Sequence, residues 1–284
     1  MTKLNRNAAL LLVPGLGIFL AFLVLPLANV VEESFRYFEP GRVGAAKDAP
    51  YTLLNYTELF DKAYLYYFLT TVRFGVMSSL IALVLAFPIA YYIARQPSQL
   101  IRKCAIGFLI GMMFLSTLVR VYALQLSFGP TGIAKHLAGF LDVSMNGRFY
   151  TEMIVVFGLL HYLVPISAIT LLGTIQNVNP RLSEAAQALG APRWVSHLTV
   201  TIPLSVPGLL SAFLICFTLC LSAFVVPMIL GKGKVLFVSN LIYARFSEIA
   251  NYPSGSAVSV MMLILSLLIV YGVTSFVTAR WIKN

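Results

Sequence analysis

The sequence predicts an all-α polytopic membrane protein with six transmembrane helices, and three observations carry that expectation. Charge is scarce: 20 basic and 10 acidic residues in 284 make 11% charged, against about 25% in a soluble domain. Apolar types make up 59%, and a soluble protein of this size would need a charged surface that is missing here. The deficit is also localised, in charge-free runs at 8–31, 74–94, 153–180, 198–231 and 249–279, with a sixth at 104–127 interrupted only by Arg120. A helix rises about 1.5 Å per residue, so about 20 apolar residues cross a hydrocarbon layer about 30 Å thick. All six runs reach that length. A soluble enzyme, a nucleic-acid-binding module and a disordered tail are excluded by the same arithmetic.

Span one covers 9–31. It is longer than the 7–15-residue apolar core of a secretory signal, contains Pro14 and Pro26, and lacks a small-x-small cleavage site before Glu32, so it reads as a retained span. The polar segment 32–71 carries charges and the aromatics Phe35, Tyr37, Tyr51, Tyr56 and Phe60, which suggests an outer loop with short interfacial helices. Span two runs to Ala94 and a turn follows at 95–103. Span three covers about 106–127, after which Gly129-Pro130-Thr131-Gly132 breaks the helix before an amphipathic stretch at 133–141. Span four is about 153–174, the largest inner loop 176–201, span five 206–230, an outer loop 231–254, and span six 257–279. Prolines lie inside the spans at Pro88, Pro165, Pro207 and Pro227. Each removes a backbone donor, which membranes tolerate where neighbours or water re-satisfy the backbone. Four together favour a conduit, with spans four and five able to rock, over an inert anchor.

The net charge of +10 sits in the wrong places for nucleic acid. Lys3, Arg6, Arg95, Arg102, Lys103, Arg181, Arg193, Arg280 and Lys283 fall in the termini and alternate loops, with Glu184 as their one acid. The other three loops hold an equal number of Lys and Arg beside the remaining acids. Density near the helix ends breaks the tie, because the short loop 95–103 holds three, and both termini are expected in the cytoplasm. Cys104, Cys216 and Cys220 all lie in apolar runs, so neither a disulfide framework nor a metal site is expected.

The inner loop carries the most information. It reads Asn179-Pro-Arg-Leu-Ser-Glu-Ala-Ala-Gln-Ala-Leu-Gly-Ala-Pro-Arg-Trp-Val-Ser-His-Leu-Thr-Val-Thr-Ile-Pro203. Asn179 suits an N-cap and Pro180 the first helical position; Gly190 suits the left-handed position past the end, and Pro192 stops continuation. Leu182, Ala185, Ala186 and Leu189 share one face of this short helix, and its two alanines allow a partner surface to approach closely. Glu184, early in the helix, is favoured by the dipole and offers a carboxylate to a basic partner. A second short helix begins at Pro192, with Trp194 and Leu198 toward the membrane interface, and Pro203 precedes span five. A helix of about ten residues is too short to be stable alone, and a face of small residues suits docking to protein better than lying on lipid.

This loop resembles the signature of binding-protein-dependent ABC importer permeases: Glu-Ala-Ala, three residues, Gly, nine residues, an aliphatic, one residue, an aliphatic and Pro, ahead of the penultimate span. Glu184, Ala185, Ala186, Gly190 and Pro203 match outright, and Val200 and Ile202 fill the aliphatic places. The resemblance implies a type I ABC importer permease fold, with an N-terminal helix and periplasmic loop over 1–68 and the permease domain over 69–278. It implies that 180–190 is the coupling helix, which sits in a groove of a cytoplasmic ATPase, and that Glu184, Ala185, Ala186, Leu189, Gly190 and Pro203 serve that coupling. Leu118-Val-Arg-Val-Tyr-Ala123, Pro203-Leu-Ser-Val-Pro-Gly208 and Phe224-Val-Val-Pro-Met-Ile-Leu-Gly-Lys-Gly-Lys234 are similar to the spermidine/putrescine permease subfamily, although the ferric-iron, phosphonate and opine branches are close.

The implied assembly is two permease subunits, expected as a heterodimer with a similar chain, two ATP-binding subunits and a periplasmic solute-binding protein, in a bacterial inner membrane. The chain has no Gly-x-x-x-x-Gly-Lys-Ser/Thr phosphate loop, so no catalytic residue and no cofactor is expected in it, ATP and Mg being held by the partner subunits. Candidates for the substrate path are Arg120, Tyr122, His161, Tyr162, Ser222 and Phe224. Arg120 is the only charge well inside a span, five to eight residues from its outer end, where a charge is costly and is either snorkelling or functional. No Asp or Glu lies inside a span, only Glu152 at an edge. A polyamine should meet carboxylates or aromatic faces, and Arg120 would suit an anionic or zwitterionic solute such as an opine, amino acid or phosphonate equally well. The alternative reading is a secondary transporter or channel without an ATPase, but it would need ionisable residues within spans that are nearly absent.

Overall fold

The computed structural model describes residues 13–129, 132, 134–135 and 144–282. In chain order the helices are α1 (Val13–Ser34), α2 (Lys62–Arg95), α3 (Gln99–Phe114), α4 (Thr117–Phe128), α5 (Arg148–Asn177), α6 (Pro180–Ala188), α7 (Arg193–Leu204), α8 (Val206–Leu221), α9 (Val225–Leu230), α10 (Val238–Tyr243) and α11 (Tyr252–Arg280). Four of these, α1, α2, α5 and α11, are long and apolar enough to cross a membrane. The pairs α3/α4 and α7/α8 pass the same test only together, bent by 91° and 72°, so the expected six spans are reached by counting each bent pair as one. Among the described residues β-structure is confined to an isolated antiparallel bridge between Arg36 and Tyr51.

The chain forms two compact units, one within 1–66 and 241–265, the other within 67–240 and 266–284. In the first, α1 contains a π-turn at Leu20–Val24 immediately before Pro26, a wide turn that absorbs the missing proline donor. The far end of α1 is anchored by polar side chains. Ser34 Oγ donates to Val31 O at 2.6 Å and shares a hydrogen bond with Tyr56 Oη at 2.7 Å. Asn55 Nδ2 donates to the Ser34 and Arg36 carbonyls at 3.0 and 2.9 Å, which satisfies acceptors that a helix end leaves open. Gly255 opens the way for Phe246, whose ring would lie 2.7 Å from a Cβ there.

In the second unit small residues let long helices approach. Ala82, Ala86 and Ala90 recur every four residues on α2, as do Ala212, Cys216 and Cys220 on α8, and all are fully buried. Close backbone approach is how helices associate where lipid offers no hydrophobic drive. Leu159, Leu163 and Leu171 of α5 fill the space between, also fully buried, and Ser167 Oγ meets Cys216 Sγ at 2.9 Å. At Gly208 a Cβ would collide with Thr174 of α5.

Three features differ from expectation. Span three is not one helix: α3 ends at Phe114 and α4 begins at Thr117, and Leu115 and Ser116 between them are non-helical. Span five stops at Leu221, and residues 222–224 separate it from α9. Helix α2 begins at Lys62, twelve residues before the charge-free run at 74–94, and its added turns bury Tyr64 and Phe68. The expected amphipathic stretch at 133–141 lies almost wholly outside the described residues.

Candidate functional site

The short helix between the fourth and fifth apolar runs has the caps its sequence asks for. Asn179 Oδ1 accepts from Arg181 N at 3.0 Å, and Pro180 takes the first helical position. Gly190 adopts φ +97°. Its N–H donates to Gln187 O at 2.9 Å and the Ala191 N–H to Ala186 O at 3.1 Å, the paired bonds of a Schellman ending. One side of α6 faces its own chain: Ser183 is buried, its Oγ shares a 2.8 Å hydrogen bond with Ser196 Oγ of α7, and Ser196 Oγ reaches Ser183 O at 2.8 Å. The other side is open. Leu182 is 48% and Leu189 91% exposed; Ala185 and Glu184 are exposed, while Ala186 is half-buried against the rest of the chain. Glu184 makes no ion pair among the described residues. Trp194 and Leu198 on α7 are exposed as well.

Helix α7 leaves this segment through a π-turn at His197–Thr201, directly before Pro203. The 72° bend into α8 falls at Ser205, between Pro203 and Pro207. Pro203 and Pro207, two residues either side of the break, each lack a backbone N–H for the helical ladder, so the bend is local in cause.

A separate cavity of about 290 Å³ is lined by α4, α5, the end of α8 and α9. Four path candidates, Arg120, Tyr162, Ser222 and Phe224, meet there, together with Thr117, Gly158 and Ala223, which sequence reasoning did not single out. Tyr122 does not line it and is 54% exposed. His161, the neighbour of Tyr162, lies on a different apolar groove with Leu85, Ile89 and Met112; adjacent positions on a helix point about 100° apart, so only one of the two could face the cavity. Arg120 does not snorkel. It is 5% exposed, and its Nη2 donates to Met112 O at 2.6 Å and Leu115 O at 2.9 Å, the carbonyl end of α3. A cation there is favoured by the helix dipole. Its Nε is buried with no hydrogen-bond partner among the described residues. Gly158 opens the cavity wall, since a Cβ would sit 2.6 Å from Leu230 Cδ1. Among the described residues no group of three or more His, Cys, Asp or Glu side chains could hold a metal ion.

The sequence profile of the family described as "Binding-protein-dependent transport system inner membrane component" matches residues 86–283. The spermidine/putrescine transport system permease protein PotB of Escherichia coli (strain K12) is 29% identical over 226 residues, covering 78% of this chain and 82% of that protein. PotB of Salmonella typhimurium (strain LT2) is 27% identical over 268 residues, covering 93% and 92%. A crystal structure of a bacterial ABC transporter involved in the import of the acidic polysaccharide alginate superposes with a TM-score of 0.74 at 19% identity, over 98% of this chain and 97% of that one, a likeness of fold. The chain therefore belongs to the family of inner membrane components of binding-protein-dependent transport systems, the permeases of ABC importers.

Proposed function

We propose that this chain is one permease subunit of an ATP-driven importer and that α6 is its coupling helix, seated in a groove of a separate ATPase. The observation that carries this is the open apolar stripe of Leu182, Ala185 and Leu189 on a helix pinned from behind by Ser183 and Ser196. A water-facing Leu at the tip of a well-capped helix has no folding role of its own and suits a partner surface. In this reading two ATP-binding subunits hold Mg and ATP, a second, similar permease completes the conduit, and a periplasmic binding protein delivers solute. Both termini and α6 lie in the cytoplasm. Closure of the ATPases draws the paired coupling helices together, and the bends at Ser205 and at residues 115–116 let the cavity change its exposure.

For the solute we propose a polyamine or a related opine- or amino-acid-like compound. Two relatives are named for spermidine and putrescine transport, and Tyr162 and Phe224 give the cavity aromatic faces that attract ammonium groups. The charge of Arg120 opposes this less than its formal value implies. The guanidinium rests on the carbonyl end of α3, which carries about half a negative charge. A zwitterion remains the second reading, favoured by the partnerless Arg120 Nε.

The test is reconstitution with the ATPase subunits. Glu184→Lys should abolish their co-purification, and uptake of labelled spermidine should require ATP hydrolysis. Uptake that continues without a nucleotide-hydrolysing partner would overturn the reading in favour of a secondary transporter or channel. Competition by an excess of unlabelled amino acid or opine, with none by putrescine, would overturn the polyamine assignment alone.

A further inference from the structure

We infer that Arg95 and Tyr91, at the end of α2, are the positioning residues through which movement of α6 reaches the membrane bundle. The inference rests on the proposal that an ATPase grips α6. Between α5 and α6 lie two residues, Val178 and Asn179, both extended. The helical ladder is interrupted across these two residues, so α5 is not continuous with α6 and would pass on only part of a push. Arg95 Nη2 closes the joint from the side, donating to Val178 O at 2.6 Å and to Ile175 O at 3.3 Å. Both carbonyls stand at the end of α5, where Ile175 O also accepts from Val178 N at 3.2 Å, and a charged donor makes such bonds about twice as strong as neutral ones.

The second flank of the segment is tied to the same helix. One turn back along α2, Tyr91 meets His197 edge to face, with ring centroids 4.7 Å apart. His197 opens the π-turn of α7, and its Nδ1 lies 3.3 Å from Thr201 Oγ1. The Arg95 guanidinium carbon stands 5.8 Å from the Tyr91 ring centre. Val178 on one side of α6–α7 and His197 on the other are thus held by adjacent turns of one helix. That helix runs for 34 residues with Pro88 inside it, and Ala86 and Ala90 on either side of the proline are fully buried, so packing holds the segment that carries the clamp. Helix α6 does not need the clamp to form: its Asn179 cap, its Gly190 ending and its Ser183–Ser196 bond involve neither residue. Loss of the clamp should therefore spare docking and impair transmission.

The experiment uses the assembled transporter, this chain with its partner permease and ATPase subunits, in lipid nanodiscs. Thr117→Cys on the cavity, in a Cys104→Ser background, reports cavity access by its rate of reaction with a membrane-impermeant maleimide, with and without ATP, so no knowledge of the solute is needed. Arg95→Met should retain ATPase co-purification and a cooperative unfolding transition lowered by no more than about a few degrees, while the ATP-dependent change in labelling rate falls about tenfold, the equivalent of one charge-assisted hydrogen bond. Arg95→Lys, which keeps one donor for Val178 O, should recover part of the change, and Tyr91→Leu should lose part of it. An undiminished ATP response in both Arg95→Met and Tyr91→Leu overturns the inference. So does joint loss of ATPase binding and thermal stability in Arg95→Met and Arg95→Lys, which would make Arg95 a folding residue. If Glu184→Lys leaves co-purification intact and wild type shows no ATP response, the coupling-helix reading itself fails.

Discussion

Leu189 offers a sharp test of where α6 makes its contacts, because within this chain it makes almost none. It is 91% exposed at the end of α6, on the stripe with Leu182 and Ala185. Leu189→Ala deletes three carbon groups. Each buried CH₂ contributes about 0.8 kcal/mol, so complete burial of Leu189 in a partner's groove predicts a loss of about 2.4 kcal/mol. That weakens ATPase association about 60-fold at full burial and about 8-fold at half burial. The same substitution removes no intramolecular packing, so the stability of the isolated permease should change by less than about 0.5 kcal/mol. The two effects are separable: titrate labelled ATPase onto nanodisc-embedded permease, and follow thermal unfolding of the permease alone in detergent. A destabilised permease with normal ATPase affinity would mean that Leu189 packs within its own bundle. Unchanged affinity and unchanged stability would mean that the stripe faces solvent or lipid in the working complex. Either result removes the foundation of the coupling-helix proposal.

Three further outcomes follow from the geometry. Gly190→Ala adds a methyl into open space at φ +97°, so its cost is the left-handed backbone alone, about 1–2 kcal/mol; hydrogen exchange at the Gly190 and Ala191 amides should quicken, and unchanged protection would contradict the Schellman ending. Arg120→Met removes two charge-assisted hydrogen bonds of about 1.5–3 kcal/mol each, partly offset by relief of the buried guanidinium; a net loss of about 2–3 kcal/mol in detergent unfolding is expected. Arg120→Lys should recover part of it, and a stable Arg120→Met would refute its role as the cap of α3. Gly158→Ala forces a Cβ to within 2.6 Å of Leu230 Cδ1 and 3.1 Å of Val226 Cγ1, an overpacking cost of about 1–3 kcal/mol; displacement of α9 should lower solute uptake while ATPase co-purification persists, and full uptake would show that α9 yields without effect.

How much of this was legible in the sequence depends on the range of the interaction involved. The ends of α6 were, because a cap is a contact between residues two to five apart: Asn179 with Arg181, Gly190 with Gln187, Ala191 with Ala186. The apolar spans were legible because lipid demands the same thing of every turn. The face of α6 was partly so. Leu182, Ala185, Ala186 and Leu189 share a stripe, yet Ala186 turns half inward because Ser183 and Ser196 fix the rotation of the helix, and that contact joins residues on two different helices. The clamp of Arg95 on Val178 spans 83 residues in sequence. From sequence alone Arg95 reads as one more basic residue at a helix end.

The break between α3 and α4 is the instructive case, since neither glycine nor proline marks it. Residues 115–117 are Leu, Ser and Thr, unremarkable within an apolar run. The marker is Arg120. In a continuous helix the carbonyls are already engaged along the ladder, and a guanidinium buried in an apolar span would find poor acceptors. Interrupting the ladder frees the last carbonyls of the first half, and a residue a few positions into the second half can reach back to them, as Arg120 does to Met112 and Leu115. The charge that looked expensive as part of one long helix thus stabilises a 91° corner, and the corner forms part of the cavity through Thr117, Arg120 and Val121. A lone arginine deep in an otherwise apolar run is accordingly evidence for broken backbone just upstream, as well as for a charge in a conduit.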